Sequence, residues 1–376
     1  TFLLASHPKP VSQAIERHRL AFDVNPADYW HENFQTIDGK IASAAAAYMG
    51  GNPDDIALTD STTMGLSMVY SGLQLGPNDE ILQTVHDHYS TDLSLKLRAD
   101  RTGAKVKRIS LYDEPSKVSE KEILTRLSKA INKNTKVVAV TWVHSSTGVK
   151  LPIKAMGKVI ARINRERPEP EHILFSVDGV HGFGIENQDV SKLGVDFFIA
   201  GTHKWIFGPR GTGVVWGSKK GWKRSNAVIP SFSRSYAVWL GEMSQENVTY
   251  GEHMSPGGFH SFEHRWALPK AFELHGQLGK ANVEKRIHQL NSQTKQGLAQ
   301  MSHVKLHTPM TEELSSGLVC FEVDGMHPEA VVAALHKKGI IMSNTPYRET
   351  FARFAPSLIN NENEIDFMRS NHLLCK

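Results

Sequence analysis

From residue 56 to residue 217, short apolar runs alternate with amphipathic stretches. The apolar runs predict strands at Glu80–Val85, Lys105–Ser110, Lys136–Trp142, His172–Val177, Phe197–Gly201 and Gly213–Trp216. Between them, helical spacing predicts helices at Met64–Leu75, Tyr89–Arg101, Glu120–Ile131 and Ile153–Asn164. Strands that alternate with helices of this length imply an α/β domain with a mostly parallel sheet. Such sheets place ligands at the carboxyl ends of their strands.

Residues 218–262 break this pattern and are rich in Ser, Gly, Pro and aromatics, as expected of a connection that carries functional loops. From Phe262 the pattern changes again. A helical stretch runs to about residue 301 with a break near residue 279. Strands at Gly317–Val323 and Gly339–Met342 and helices at Pro328–Lys338 and Asn363–Ser370 are predicted beyond it. This reads as a second, smaller α+β unit. The expected division is a larger α/β domain over residues 14–260 and a smaller one over 261–376 together with 1–13.

The chain's 376 residues are too many for one compact core and suit this two-part plan. Net charge is only +4, from 43 basic and 39 acidic residues, which argues against a nucleic-acid partner. The basic cluster Lys219-Lys220-Gly221-Trp222-Lys223-Arg224 reads as a solvated surface turn. No apolar run is long enough to span a bilayer, so no membrane partner is expected. Two cysteines, Cys320 and Cys375, make neither a disulfide framework nor a metal site. A cytoplasmic location is expected. Because the chain starts at Thr1, a removed signal and a periplasmic location form the alternative.

Four segments carry candidate chemistry. In Gly201-Thr202-His203-Lys204-Trp205-Ile206-Phe207-Gly208-Pro209-Arg210-Gly211-Thr212-Gly213 an apolar strand delivers a lysine into a Gly-rich turn. Burial disfavours the charged amine, and a neutral amine is what attack on an aldehyde requires. The bland alternative is a surface turn with a snorkelling lysine. In Phe175-Ser176-Val177-Asp178-Gly179-Val180-His181 an acid ends an apolar strand, where it needs a cation such as a protonated pyridine nitrogen. A metal ligand or a helix cap is the alternative there.

Thr59-Asp60-Ser61-Thr62-Thr63 precedes an apolar helix and offers hydroxyls and free N–H groups to an anion, or simply an N-cap. Val85-His86-Asp87-His88-Tyr89-Ser90 ends another strand, where an imidazole can stack on a planar ring. Two histidines two apart also suit a metal, but no second cluster with ligand spacing accompanies them.

With these segments in this order, the chain resembles the fold-type I pyridoxal 5'-phosphate (PLP) enzymes of the class V aminotransferase group. That group includes cysteine desulfurases and isopenicillin N epimerase-like proteins. The resemblance runs from about His7 to Leu374. It implies a PLP-dependent transferase fold of the aspartate aminotransferase kind, with a mostly parallel seven-stranded sheet and a smaller α+β domain. It also implies that PLP is the cofactor, that an amino acid is the substrate and that the protein is a homodimer.

By the same resemblance, Lys204 is the Schiff-base lysine and Asp178 pairs with the pyridine nitrogen. His88 stacks on the ring, with Tyr89 as the fallback. Ser61, Thr62 and Thr63 bind the phosphate, and Thr202 and His203 close over it. His181 stands where many members carry a Gln, and Ser145 where many carry an Asn, each beside the phenolate oxygen. Arg353 holds the substrate carboxylate, a role its planar fork suits. His260 and Ser261 are candidates for a phosphate contact donated across the dimer.

Tyr347, Arg348, His144, Trp142 and residues 225–262 are expected to shape the side-chain pocket. The stretch Ser343-Asn344-Thr345-Pro346-Tyr347-Arg348-Glu349-Thr350 ahead of Arg353 holds no cysteine. Cys320 lies in an apolar strand, and Cys375 is near the C-terminal end. On that ground a cysteine desulfurase is not expected. An aminotransferase or an isopenicillin N epimerase-like enzyme is. A carbon–sulfur lyase, or a decarboxylating or side-chain-modifying enzyme of the exported pyoverdine-maturation type, is the alternative. A non-catalytic PLP-fold binding protein is the reading from another class.

Overall fold

The computed structural model describes residues 3–370. Eleven strands are present among them: β1 Ile56–Thr59, β2 Glu80–Thr84, β3 Lys105–Ile109, β4 Thr135–Thr141, β5 Leu174–Asp178, β6 Phe197–Gly201, β7 Gly213–Gly217, β8 Val304–Leu306, β9 Val319–Val323, β10 Ser343–Asn344 and β11 Ala352–Phe354. The first seven form one sheet in the order β1-β7-β6-β5-β4-β2-β3. Neighbours from β6 to β3 pair in parallel, while β7 runs antiparallel to both β6 and β1. The remaining four form an antiparallel sheet in the order β10-β11-β9-β8. A mostly parallel seven-stranded sheet with a smaller second sheet is the expected fold class.

The central strands β4 to β7 read as largely apolar runs because helices cover both faces, whereas the edge strand β3 is polar and partly exposed. Successive residues alternate between two cores. Leu82, Val138, Phe175 and Phe198 enter one, and Ile81, Val137, Leu174 and Phe197 the other. The first core also takes in Trp205, Trp266, Phe272 and Ile287. A third core, from Leu290 to Met368, lies under the small sheet and includes Phe321, Val331 and Phe354.

Crossover helices close the parallel connections, at Thr62–Gly72, Tyr89–Thr102, Glu120–Ala130 and Ile153–Asn164. The long helical stretch resolves into Phe262–Ala267, Pro269–Leu278 and Lys280–Ala299. Gly279, with φ 81°, marks the predicted break. Apolar periodicity did not single out the short edge strand β1 Ile56–Thr59 or the helices Lys9–Val24 and Pro26–Met49. The second of these helices is started by Asn25, whose side chain accepts from the Asp28 N–H at 3.2 Å, and by Pro26 in its first turn.

One predicted strand is not found. Gly339–Met342 is irregular, and pairing begins only at Ser343. Gly339 takes φ 78° to end the preceding helix Pro328–His336, and Ile341 is 83% exposed. A short apolar run after a helix cap can therefore be a surface turn rather than a strand. Among the described residues, no helix is long and apolar enough to cross a membrane.

Candidate active site

The carboxyl ends of β2, β4, β5 and β6 lead directly into His88, Ser145, Asp178 and Lys204. Parallel pairing with aligned register brings these ends to one edge of the sheet, and Thr141 lies opposite Asp178 in the ladder. The antiparallel pair β1–β7 sets Thr59, and so Ser61 and Thr62, beside the end of β6. The small sheet supplies Arg353 from β11.

Lys204 sits in a tight turn. Phe207 N–H donates to the Lys204 carbonyl at 3.1 Å, and Gly208 N–H to the Thr202 carbonyl at 2.8 Å. Phe207 is the one non-glycine residue at positive φ among those described, at 57°. Such local strain persists only where surrounding packing holds it, and Phe207 is buried. Burial lowers the Lys204 amine to about 8, against the attraction of Asp178. Arg353 pushes it the same way as burial.

Asp178 is 2% exposed and accepts from the Val180 N–H at 3.1 Å. Burial raises its carboxyl to about 6, while that hydrogen bond and Lys204 pull it down. A buried acid in this state is stabilised by a cation placed against it. The nitrogen of a protonated pyridine ring is such a cation, so the residue fits the cofactor the fold implies.

His181 is buried beside the lysine. Its Nε2 is 3.3 Å from Lys204 Nζ, and its Nδ1 is 3.2 Å from the indole nitrogen of Trp205. His88 caps the helix that follows β2, and its Nδ1 accepts from the Ser90 N–H at 3.2 Å. Burial and the charges of Lys204 and Arg353 lower its pKa. Tyr89, the fallback, points outward at 68% exposure.

The residues expected at the phosphate lie at the N-terminus of the helix Thr62–Gly72. Ser61 caps it by accepting from the Met64 N–H at 3.1 Å. Thr62 Oγ1 accepts from the Gly201 N–H at 2.7 Å, and Thr63 Oγ1 is 3.0 Å from Ser90 Oγ. His203 Nδ1 is buried without a hydrogen-bond partner. A Cβ added at Gly201 would come within 2.8 Å of His203 Cε1 and 3.0 Å of Thr62 Oγ1. The glycine therefore keeps open a cradle between an orphaned imidazole nitrogen and a hydroxyl, which fits a phosphate. The hydroxyl of Thr202 instead donates to the Thr212 carbonyl at 3.0 Å and braces the lysine turn from within.

Arg353 is 3% exposed. Its Nη1 donates to the Ser145 carbonyl at 2.7 Å and its Nε to Ser343 Oγ at 3.2 Å. Ser145 Oγ in turn is 2.7 Å from Tyr347 Oη. Tyr347 also meets His88 edge to face, with ring centroids 6.1 Å apart. Tyr347 thus links the small sheet to the strand ends, a contact that residue spacing could not show. Arg348 is exposed. His144 and Trp142 are buried, the former bonded to Tyr112 Oη at 2.7 Å. His260 lies 3.4 Å from Asp60, and Ser261 is exposed at the start of a helix. His86 stacks on Tyr112 at 4.1 Å. Among the described residues one trio has metal-ligand spacing, Glu186, Glu284 and His288, but Glu186 already holds Lys150 at 2.6 Å.

Residues 5–345 match the family described as aminotransferase class-V. A probable cysteine desulfurase of Pyrococcus abyssi is 25% identical over 343 residues, 89% of this chain and 80% of that protein. An isopenicillin N epimerase of Streptomyces clavuligerus is 24% identical over 89% of this chain and 81% of its own length. Among solved structures, the cystine C–S lyase C-DES in complex with cysteine persulfide superposes with a TM-score of 0.84 at 22% identity. That match covers 97% of this chain and 93% of the lyase.

The expectation that a cysteine desulfurase is excluded is overturned by these similarities, which include several probable cysteine desulfurases. It rested on the content of one loop, and loops are what vary most between proteins that share a scaffold. Cys320 is buried, and burial raises its thiol to about 12. Cys375 lies outside the described residues. A lysine, an acid and an arginine gathered at one sheet edge, together with a match over most of the sequence, make this chain a member of the aminotransferase class-V family of PLP-dependent, fold-type I proteins.

Proposed function

We propose that the chain is a PLP-dependent enzyme that activates the α-carbon of an amino acid, with Lys204 holding the cofactor and moving the Cα proton. The observation that supports this most directly is the Lys204 amine, drawn down to about 8 by burial, so that near-neutral pH leaves a reactive neutral fraction. When bound, the cofactor supplies a sink for the electrons of a bond broken at Cα. Asp178 holds the proton of the ring nitrogen. His88 covers one ring face, and His181 and Ser145 address the phenolate side. Ser61, Thr62, Thr63 and His203 form the phosphate end, and Thr202 braces the lysine turn behind it. Arg353, fixed by Ser145 and Ser343, takes the substrate carboxylate in a water-poor setting where its hydrogen bonds are strong.

Moving the Cα proton serves an aminotransferase and an epimerase alike, and the epimerase relatives support that pair. A second reading, cleavage of a carbon–sulfur bond in a cysteine-like substrate, is favoured by the desulfurase relatives and by the lyase superposition. An amino-acid panel read by mass spectrometry separates them. Keto acid or D-isomer supports the first, and released sulfide or persulfide the second. A protein that develops no visible absorption with PLP, or keeps it after borohydride, would overturn the assignment of Lys204 and favour a binding protein.

Homodimerisation belongs to the same proposal. Phe232, Tyr236, Trp239 and Phe259 are all more than half exposed, an apolar surface suited to a second copy. Light scattering that gives the monomer mass at micromolar concentration would remove it.

A further inference from the structure

We propose that Trp205 is a positioning residue that fixes His181 in the tautomer with its proton on Nε2, so that His181 presents a hydrogen-bond donor to Lys204. The argument needs only the donor inventory. An indole N–H donates and cannot accept. At 3.2 Å from Trp205 Nε1, His181 Nδ1 must therefore be the acceptor. A neutral imidazole that accepts at one nitrogen carries its proton on the other. Nε2, at 3.3 Å from Lys204 Nζ, is then an N–H pointed at the amine.

The amine accepts that bond only through a lone pair, which the ammonium form lacks. The arrangement rewards neutral Lys204 and penalises its protonated form. The geometry is held firmly. Trp205 is fully buried, and Gly184 and Gly317 stand where any Cβ would strike it, at 2.9 Å from its Cβ and 2.6 Å from its Cη2. Among the described residues, the other charged or titratable groups felt at Lys204 or His181 are Asp178, Arg353 and His88. Asp178 favours the ammonium, while Arg353 opposes it. Imidazolium at position 181 is disfavoured by burial first and then by Lys204. The motif His203-Lys204-Trp205 thus places beside the reactive lysine the residue that sets its hydrogen-bond partner.

This inference rests on reading Lys204 as the reactive amine, but it is tested on the cofactor-free chain and needs no turnover. In the wild-type apoprotein labelled with ¹⁵N histidine, His181 should show a pyrrole-like Nε2 and a pyridine-like Nδ1. The reverse tautomer, or an imidazolium at pH 7, would overturn the proposal and leave the role of Lys204 standing. Trp205→Phe keeps a ring in the core and removes the donor. It should free His181 to accept from the ammonium, raising the Lys204 midpoint by roughly one pH unit. That midpoint is read from the pH dependence of amine labelling at Lys204. An unchanged midpoint in a folded Trp205→Phe protein, with fold checked by circular dichroism, also overturns the proposal. If that variant does not fold, the wild-type tautomer decides alone.

Discussion

Replacing Asp178 with Asn should make the apoprotein more stable while it weakens cofactor binding. The carboxyl is 2% exposed and is raised from 3.8 to about 6, chiefly by burial. An acid whose pKa is raised on folding binds its proton more tightly in the folded state, so its ionised form works against folding. Below pH 3.8 the group is protonated in both states and no penalty exists. The penalty grows as pH rises and is complete above about 6, where a shift of about two units corresponds to about 3 kcal/mol.

The attraction of Lys204 is already contained in that net shift. Asn keeps an oxygen to accept from the Val180 N–H and drops the charge. Urea denaturation of the two apoproteins, followed by circular dichroism, should show little difference near pH 4. A gain of up to about 3 kcal/mol should appear by pH 7.5. With PLP added that gain should shrink or vanish, because the ring nitrogen loses its charged partner, worth about 1.5–3 kcal/mol. A variant no more stable than wild type at pH 7.5, or a gain already present at pH 4, would refute the reasoning.

Lys204→Ala should abolish turnover, leave the far-ultraviolet circular dichroism unchanged and remove the borohydride-sensitive absorption. Retained steady-state activity would count against the assignment. Gly201→Ala places a methyl 2.8 Å from the His203 ring and should weaken PLP binding by roughly tenfold or more, by fluorescence titration. Arg353→Lys gives up the fork and should raise KM for amino acids by about 10–100-fold with a smaller change in kcat. Glu186→Gln breaks a buried cluster in which Lys150, His288 and Ser316 all meet one carboxylate, at 2.6, 3.0 and 2.6 Å. It should cost about 3–5 kcal/mol in denaturation. Against burial, which raises it, His288 and Lys150 lower the Glu186 pKa below 4.5, so its contribution is present above that pH and is lost as pH falls through the lowered value.

By itself the chain determined the order and type of six of the seven strands that build the large sheet, and the four-residue β1 was the one it did not mark. Both faces of that sheet are covered at its centre, so β4 to β7 had to be written as largely apolar runs, and such runs are visible without a structure. The lysine and the acid were visible for the same reason, as polar residues set at the ends of those runs. Helix Pro26–Met49 was missed because its Asn25 cap and alanine-rich second half, rather than a clear apolar period, mark it. Helix Lys9–Val24 was missed because it is mostly polar and has no side-chain cap. The run at Gly339–Met342 misled because a glycine at positive φ turns it to the surface. Tertiary structure alone decided the contacts between distant segments. Tyr347 reaches Ser145 across 202 positions, and Arg353 reaches the same residue across 208. It also decided which way a neutral imidazole carries its proton. A hydrogen bond is a property of distance and direction, and local sequence encodes neither for residues brought together by folding.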